Sequence, residues 1–432
     1  MRKRYVTAII SIIITAVLIL TACGSNPDTP RINEDSPAEL TENSIRPITD
    51  DTDAETSAYN DSDAEISTNE ISLEQLIDNY IETHNRMISG LSISIFTKED
   101  IILEKVYGYA DMAAGIPVDS DTVFEWGSVT KLLVYVSAMQ LYEQGKLDFH
   151  ADIFSYIPEE YFPNIVYPTT MFDLMHHTAG FDDLTNSDFY EFQYVPVNEV
   201  VPALEDILRD ISKTDIAAQN SQPGERVIYS NYGAALAGYV IEQISGIPFY
   251  EYVHSNIFAP LGMSHTALLP DLSDNVWVKS QRTKIKVYLM ADSELDVQRT
   301  QIGLYPAGAA TGTTSDIVRF AKALIPDENG ASILFEESET LFKLFPSIED
   351  IQNAVTDERL EGIAYHYGFY IFTSRGELGR AIGHSGGTEG SASILFIDID
   401  RGIGVTISEN TRYGLMNVGE FWSELFEMLL IG

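Results

Sequence analysis

Ser128 and Lys131 stand three residues apart in the stretch FEWGSVTKLLVY, directly after a glycine and at the head of an apolar run. If a helix begins there, both side chains lie one turn apart on the same face. A serine hydroxyl is a good nucleophile only when a base lies within hydrogen-bonding reach. Lys131 can be that base if burial and a helix N-terminus bring its pKa near neutrality, which costs about 4 kcal/mol. Taken alone, the pattern favours an N-capping serine beside a solvated lysine.

A tyrosine and an asparagine that could complete such a site stand close together further along the chain. The stretch PGERVIYSNYG contains Tyr229 and Asn231, after a short β-prone run and before a helical pattern. A tyrosine beside a lysine can share its proton and relay it to a leaving group. An asparagine amide can hold both Lys131 and a substrate carbonyl.

A glycine-rich stretch near the C-terminus offers groups that would hold a substrate. RAIGHSGGTEG contains His384, Ser385, Gly386 and Gly387 and leads into an apolar strand pattern. Glycines on an edge strand let a substrate lie close to the backbone. The Gly387 N–H could then stabilise a developing oxyanion, and losing one such donor typically costs roughly 2.7–4 kcal/mol of barrier stabilisation.

Strands at both ends of the folded region must position these groups. Two apolar-rich stretches within residues 91–111 predict a β-hairpin, and ASILFIDIDRGIGVTISEN predicts two further strands. Residues from about 136 to 300 are mostly helical in pattern. We therefore predict an α/β (α+β) fold, in which an antiparallel sheet flanked by helices is interrupted by a mostly helical insertion.

Helices are predicted at both ends as well. Ser72 can cap a helix and Gln75 can complete its capping box, with Gly90 as the expected end of that helix. Residues 418–431 have an amphipathic pattern typical of a closing helix.

The N-terminus predicts export and a lipid anchor. Three basic residues precede an apolar run that extends from Tyr5 to Leu20, and Ala22-Cys23 follows, which is the order of parts in a secretory signal. Small residues before a cysteine resemble the lipobox of bacterial lipoproteins, in which the cysteine is acylated. Cys23 is the only cysteine, so it cannot form an internal disulfide. We expect residues 1–22 to be a lipoprotein signal peptide, with an uncleaved signal anchor as the alternative.

Composition bounds the rest of the chain. Residues 23–70 are rich in Asp, Glu, Ser and Thr and predict a disordered acidic linker, which leaves 71–432 as the folded domain. The 432-residue chain has 45% hydrophobic residues, enough for a large core. Its formal net charge of −39 argues against binding of nucleic acid.

In their order, the three motifs resemble those of the serine β-lactamase and penicillin-binding-protein superfamily, specifically its class C-like branch of serine hydrolases. The stretches TTMFDLMHHTAGFDDL and YPAGAATGTTSDIVRFAKAL carry the same resemblance, which covers most of residues 72–432. Residues 267–300 fit the family poorly, and we expect them to border the pocket. The pair His176-His177 lacks companions at metal-ligand spacing, so a structural loop is the better interpretation.

The resemblance implies a role for each motif residue. Ser128 would be the acylated nucleophile and Lys131 its base. Tyr229 would relay the proton and help to activate the deacylating water, while Asn231 would orient Lys131 and the substrate. The N–H groups of Ser128 and Gly387 would form the oxyanion hole. The reaction implied is acylation followed by hydrolysis or transfer, with no metal and no cofactor.

The third motif departs from the β-lactamase pattern. Many lactam-binding members have Lys-Thr-Gly there, whereas this chain has His384, a shorter side chain that is mostly neutral near pH 7. We therefore expect a lipid-anchored hydrolase of the bacterial cell envelope, on the outer face of the cytoplasmic membrane, that cleaves an amide or ester bond. Candidate substrates are small molecules or peptides, including D-amino-acid peptides or esters derived from peptidoglycan. The alternatives are a non-catalytic penicillin-binding sensor or wall-binding module, and a true class C-like β-lactamase.

Overall fold

The computed structural model describes residues 72–84, 88–185, 188–197, 199–290, 293–295, 300–360, 362–373 and 380–412. The predicted signal peptide, the acidic linker and the closing helix at 418–431 lie outside these residues. In the part of the chain that the structure describes, none of the helices has both the length and the apolarity needed to span a bilayer.

One antiparallel sheet joins the two ends of the folded region, as predicted. Numbered along the chain, the strands are β1 (Gly90–Thr97), β2 (Ile101–Asp111), β3 (Ile116–Pro117), β4 (Val123–Glu125), β5 (Tyr194–Pro196), β6 (Thr266–Ala267), β7 (Tyr288–Met290), β8 (Ser293–Glu294), β9 (Thr300–Ile302), β10 (Thr311–Thr313), β11 (Ile363–His366), β12 (Phe369–Phe372), β13 (Ala381–Gly387), β14 (Ala392–Asp398) and β15 (Ile403–Glu409). Within the described residues, the main sheet has the order β11-β12-β13-β14-β15-β1-β2-β3. β15 pairs with β1 from Leu91–Glu409 to Thr97–Ile403, so the first and last described strands are neighbours.

Helices pack against this sheet and fill the insertion. They are α1 (Leu73–Thr83), α2 (Lys131–Glu143), α3 (Met171–Met175), α4 (Phe189–Gln193), α5 (Leu204–Ser212), α6 (Asn231–Ser245), α7 (Phe249–Val253), α8 (Ala259–Leu261), α9 (Val276–Arg282), α10 (Thr314–Ala323), α11 (Ser338–Lys343) and α12 (Ile348–Asn353). The capping box predicted for the first helix is present, because Ser72 accepts from the Gln75 N–H and the Gln75 side chain accepts from the Ser72 N–H. The expected end at Gly90 is wrong: α1 ends at Thr83, and Gly90 pairs with Gly108 at the start of β1.

Helix α2 forms the centre of the molecule. Every residue from Lys131 to Leu141 is buried, so the helix is enclosed on all sides rather than amphipathic. Its apolar side chains share one core with Phe96 and Leu395 of the sheet and with Leu236 of α6. The first residue of this buried helix is Lys131, so the fold carries an amine into the interior.

Candidate active site

Ser128 lies in a tight turn that leads directly into α2. Residues Gly127–Thr130 form a 3₁₀ turn, and Gly127 adopts φ +50°, a conformation that favours glycine. The N-cap of α2 is Thr130, which makes no side-chain capping bond. Ser128 is 8% exposed and Lys131 is fully buried. The geometry therefore excludes the simple alternative of a capping serine beside a solvated lysine.

Three oxygen atoms surround the Lys131 amine. The Nζ atom lies 2.9 Å from Ser128 Oγ, 2.8 Å from Asn231 Oδ1 and 2.5 Å from the carbonyl oxygen of Ala307. A neutral amine keeps two hydrogens and one lone pair. As an ammonium group, Lys131 donates to all three oxygen atoms; as a neutral amine that donates to Asn231 and Ala307, it would turn its lone pair to the Ser128 hydroxyl.

Tyr229 contacts the same serine. Its hydroxyl donates to Ser128 Oγ at 2.7 Å, and its ring centroid lies 4.9 Å from Lys131 Nζ. Tyr229, which lies 101 residues after Ser128 in the sequence, is therefore brought to the same oxygen atom as Lys131. A proton leaving Ser128 has a short path to the Lys131 nitrogen, while the Tyr229 hydroxyl can give up its own proton.

His177 holds the backbone on both sides of Tyr229. The Ile228 N–H donates to the His177 carbonyl at 2.9 Å, and the Ser230 N–H donates to His177 Nδ1 at 3.1 Å. The imidazole is fully buried, and burial followed by the nearby Lys131 charge lowers its pKa well below the usual range. The hydrogen bond from the Ser230 N–H requires that Nδ1 of His177 carry no proton. The sequence assigned His177 only to a loop, because a backbone contact to a remote segment leaves no spacing signal.

Asn231 is oriented by two groups that the sequence did not predict. Its Nδ2 donates to Gln193 Oε1 at 2.9 Å, and its backbone N–H donates to the buried Asp183 carboxylate at 3.0 Å. Asp183 thereby caps the N-terminus of α6, and burial raises the pKa of its carboxyl. Nothing in the local pattern distinguishes Gln193 from any other glutamine at a helix end, so only the fold reveals its position.

The glycines of β13 pack directly against the 3₁₀ turn that contains Ser128. A Cβ atom at Gly386 would lie 2.0 Å from the Trp126 carbonyl oxygen and 2.9 Å from the Ser128 nitrogen. A Cβ atom at Gly127 would likewise lie 2.6 Å from the Gly387 nitrogen. The two backbone N–H groups predicted to form the oxyanion hole therefore come from segments in close contact.

The side chains of His384 and Ser385 do not lie where the other predicted site residues lie. His384 is fully buried, with its ring 3.9 Å from that of Tyr370, and burial together with the Lys131 charge lowers its pKa well below the usual range. Ser385 lies opposite Ile394 in the β13–β14 pairing, whereas His384 lies opposite Leu395, so the two side chains point to opposite faces of the sheet. Among the described residues, neither side chain lines the recess at Ser128.

That recess is small. Its described lining is Ser128, Gln193, Tyr194, Asn231, Ile302, Ala307, Gly308 and Gly387, and its volume is about 10 Å³. This is close to the space of one water molecule, so the recess itself can admit only the reacting atoms of a substrate.

Comparison with known proteins gives the family of this chain. The sequence pattern described as Beta-lactamase matches residues 73–422. The chain therefore belongs to the beta-lactamase family, as the resemblance of its three motifs predicts.

Individual proteins and solved structures of this family are similar to most of this chain. Penicillin-binding protein 4* of Bacillus subtilis is 26% identical over 314 residues, which cover 70% of this chain and 63% of that protein. The chain thus spans less than two thirds of that relative's own length. The octameric penicillin-binding protein homologue from Pyrococcus abyssi aligns with a TM-score of 0.60 and 25% identity, covering 80% of this chain and 75% of that one. The D-amino acid amidase from Ochrobactrum anthropi aligns with a TM-score of 0.64 and 21% identity over 83% and 97% of the two chains, which shows the shared fold.

Proposed function

We propose that this protein is a serine hydrolase that cleaves an amide or ester bond through an acyl-enzyme on Ser128. The observation that carries the proposal is the position of Ser128 Oγ, which lies within hydrogen-bonding distance of both the Lys131 amine and the Tyr229 hydroxyl. A nucleophile, its base and a proton relay are the groups that acyl transfer needs. A non-catalytic sensor needs neither Lys131 nor Tyr229, so their joint placement favours the enzyme.

The geometry suggests an order of proton transfers. Neutral Lys131 accepts the Ser128 proton as Oγ attacks the carbonyl carbon, and the N–H groups of Ser128 and Gly387 stabilise the oxyanion. Tyr229 then passes a proton to the leaving group, and the C–N or C–O bond breaks. In deacylation, water attacks the acyl carbonyl carbon and the deprotonated Tyr229 accepts the water proton. Lys131 returns its proton to Ser128 Oγ as the bond between Oγ and the acyl carbon breaks.

The burial of His384 limits which substrates the site can hold by charge. A lysine at this position could hold a carboxylate next to the scissile bond by its charge, whereas a fully buried neutral imidazole offers none. A true β-lactamase is therefore less well supported than a hydrolase of uncharged amides or esters. We propose D-amino-acid peptides or esters of the cell envelope as the substrate class, in keeping with the penicillin-binding names of two of its relatives.

Labelling of Ser128 tests the proposal. We expect a fluorophosphonate probe to label the wild type and not Ser128→Ala, and D-alanyl amides or chromogenic esters to be turned over only by the wild type. A fluorescent penicillin should react more weakly than the fluorophosphonate. Equal labelling of both proteins, or no Ser128-dependent reaction with any of these compounds, would contradict the enzyme assignment.

We further propose that Cys23 carries the lipid anchor that holds the protein at the outer face of the cytoplasmic membrane. The supporting feature is the order of basic residues, apolar run and small residues before the sole cysteine. Radiolabelled palmitate should be incorporated by the wild type and not by Cys23→Ser. Incorporation that persists in Cys23→Ser would disprove the anchor.

A further inference from the structure

A hydrogen bond between two side chains links β4 to the end of β13. The Thr388 hydroxyl donates to Glu125 Oε2 at 2.6 Å. Glu125 is the last residue of β4 and comes shortly before Ser128 in the sequence. Thr388 directly follows Gly387, the last residue of β13. The bond therefore connects the two backbone segments whose N–H groups form the predicted oxyanion hole.

Arg282 holds the Glu125 carboxylate in place for this bond. The Nη2 and Nε atoms of Arg282 lie 2.6 Å and 3.2 Å from Glu125 Oε1, so the guanidinium contacts one carboxylate oxygen and Thr388 contacts the other. The side chains of Arg282 and Glu125 are 18% and 25% exposed, and Thr388 is buried. Charge-assisted bonds that are largely shielded from water are stronger than bonds at the surface. Because Arg282 is the last residue of α9, the carboxylate is also tied to the insertion.

Thr388 transmits this restraint to the turn between β13 and β14. Its hydroxyl oxygen accepts the Ser391 N–H at 3.0 Å while it donates to Glu125. The Thr388 N–H also donates to the Ser391 carbonyl oxygen at 2.9 Å. The turn is therefore held closed and fixed to Glu125 by the same side chain, and a displacement of Thr388 would move the adjoining Gly387.

A second bond restrains the other side of Gly387. The Ser393 hydroxyl donates to the Trp126 carbonyl oxygen at 2.6 Å, and Ser393 lies opposite Gly386 in the β13–β14 pairing. With that bond alone, the end of β13 could pivot about Gly386. The bond between Thr388 and Glu125 removes this freedom, because it holds the strand just beyond Gly387.

We infer that Glu125 is a positioning residue that, by holding Thr388, fixes the separation of the two N–H groups of the oxyanion hole. The inference rests on the proposed function of Ser128 and deepens it. Glu125 lies outside the described lining of the recess at Ser128, so it acts through the backbone of Gly387 rather than on the substrate. An oxyanion donor is effective only at about 2.7–3.1 Å from the oxyanion, so a small displacement of Gly387 weakens it.

Thr388→Val tests the bond to Glu125 without altering any charge. We expect the rate constant for fluorophosphonate labelling of Ser128, expressed per reactive serine, to fall about tenfold or more. The tetrahedral phosphonate places an oxygen in the oxyanion hole, where losing a whole donor costs about 10²–10³-fold. The midpoint of the pH dependence of labelling should not move, because Lys131 and Tyr229 are unchanged. Thr388→Ser keeps the hydroxyl and should restore the rate.

A double variant separates the bond to Glu125 from the role of Thr388 in its own turn. If Thr388 acts through Glu125, then Glu125→Ala combined with Thr388→Val should label no more slowly than Glu125→Ala alone. Asp400→Asn is the control, because it breaks the ion pair with Arg380 beyond the opposite end of β13 and should leave the labelling rate unchanged. Thermal unfolding of each variant verifies that it is folded at the assay temperature.

Three results would overturn the positioning role and leave the hydrolase proposal standing. They are a wild-type labelling rate in Thr388→Val, a shifted pH midpoint in that variant, and losses that multiply in the double variant. Absence of any Ser128 labelling in the wild type would overturn both proposals.

Discussion

Two imidazoles with lowered pKa values lie close to Lys131. His177 and His384 are both enclosed, and burial is the main cause that keeps the pKa of each ring below its usual range, with the Lys131 charge adding to it. A protonated ring at either position would repel a charged lysine and could not accept a hydrogen bond at its protonated nitrogen. His177 uses its free lone pair to hold Ser230, so its protonation state is tied to the position of Tyr229.

Substitution of His177 should therefore act on catalysis rather than on binding. His177→Ala removes the acceptor for the Ser230 N–H and should lower kcat by about 100-fold with little change in KM, because a displacement of about 1 Å can cost that much. His177→Asn should retain most of the activity, since Asn tolerates the observed φ of +55° and its side-chain oxygen can accept the same bond. Steady-state kinetics of both variants, with thermal unfolding as a control, checks this. Equal kcat in the two variants would refute the positioning role.

At the level of elements, the decisive contact is between the turn at Gly127–Thr130 and β13. Both segments carry glycines because each backbone occupies the space where the other's Cβ would lie. The geometry of the predicted oxyanion hole therefore depends on how closely the two elements approach.

Gly127→Ala tests this approach against a matched control. The added methyl group would push on Gly387, so we expect kcat to fall by about 100-fold or more, the effect of losing an oxyanion donor. Gly145 has a similar φ of +68° but nothing within 4 Å of its would-be Cβ. Gly145→Ala should cost about 1–2 kcal/mol of stability from backbone strain and leave kcat unchanged. A fully active Gly127→Ala would show that the two segments can separate without harm.

Many of the helices and strands could be predicted from the sequence. Apolar-rich stretches on either side of a turn predicted the β1–β2 hairpin and the β14–β15 pair, and the capping box of α1 follows from the spacing of Ser72 and Gln75. Motif order also brought Ser128, Lys131, Tyr229 and Asn231 into one hypothesis, and the structure places them together. The contacts of Gln193 and Arg282 could not be predicted from the sequence. The ion pair between Arg282 and Glu125, for example, forms only because the folded insertion brings Arg282 next to Glu125. The burial of His384 likewise depends on Tyr370, which a different strand contributes.

For the whole molecule, a partly buried histidine with a lowered pKa predicts lower stability in mild acid. His176 donates from Nδ1 to the Phe172 carbonyl and accepts the Tyr367 N–H at Nε2, and burial lowers its pKa to about 4. The unfolded chain takes up this proton near pH 6.5, but the folded chain does not until about pH 4, so stability falls as the pH drops through that interval.

His176→Gln isolates this contribution, since glutamine can donate and accept but does not titrate. Between pH 7 and pH 5, the wild type should lose about 2 kcal/mol more unfolding free energy than the variant. Urea denaturation at both pH values gives the loss of unfolding free energy for each protein. Subtracting the loss in the variant from the loss in the wild type cancels the titration of all other groups. Identical losses would show that His176 is protonated at the same pH in both states.

The pairing of β1 with β15 also sets the order in which the chain can fold. During synthesis β1 and β2 emerge early, yet the strand that completes their sheet emerges only near the end. Pairing across such a long stretch of chain carries a large entropic cost and is slow. Closure of the main sheet should thus be a late step, and until then the apolar edge of β1 is open to other chains. A chain that stalls or is cut before residue 403 would leave that edge permanently exposed, and we expect it to aggregate rather than form a smaller folded enzyme.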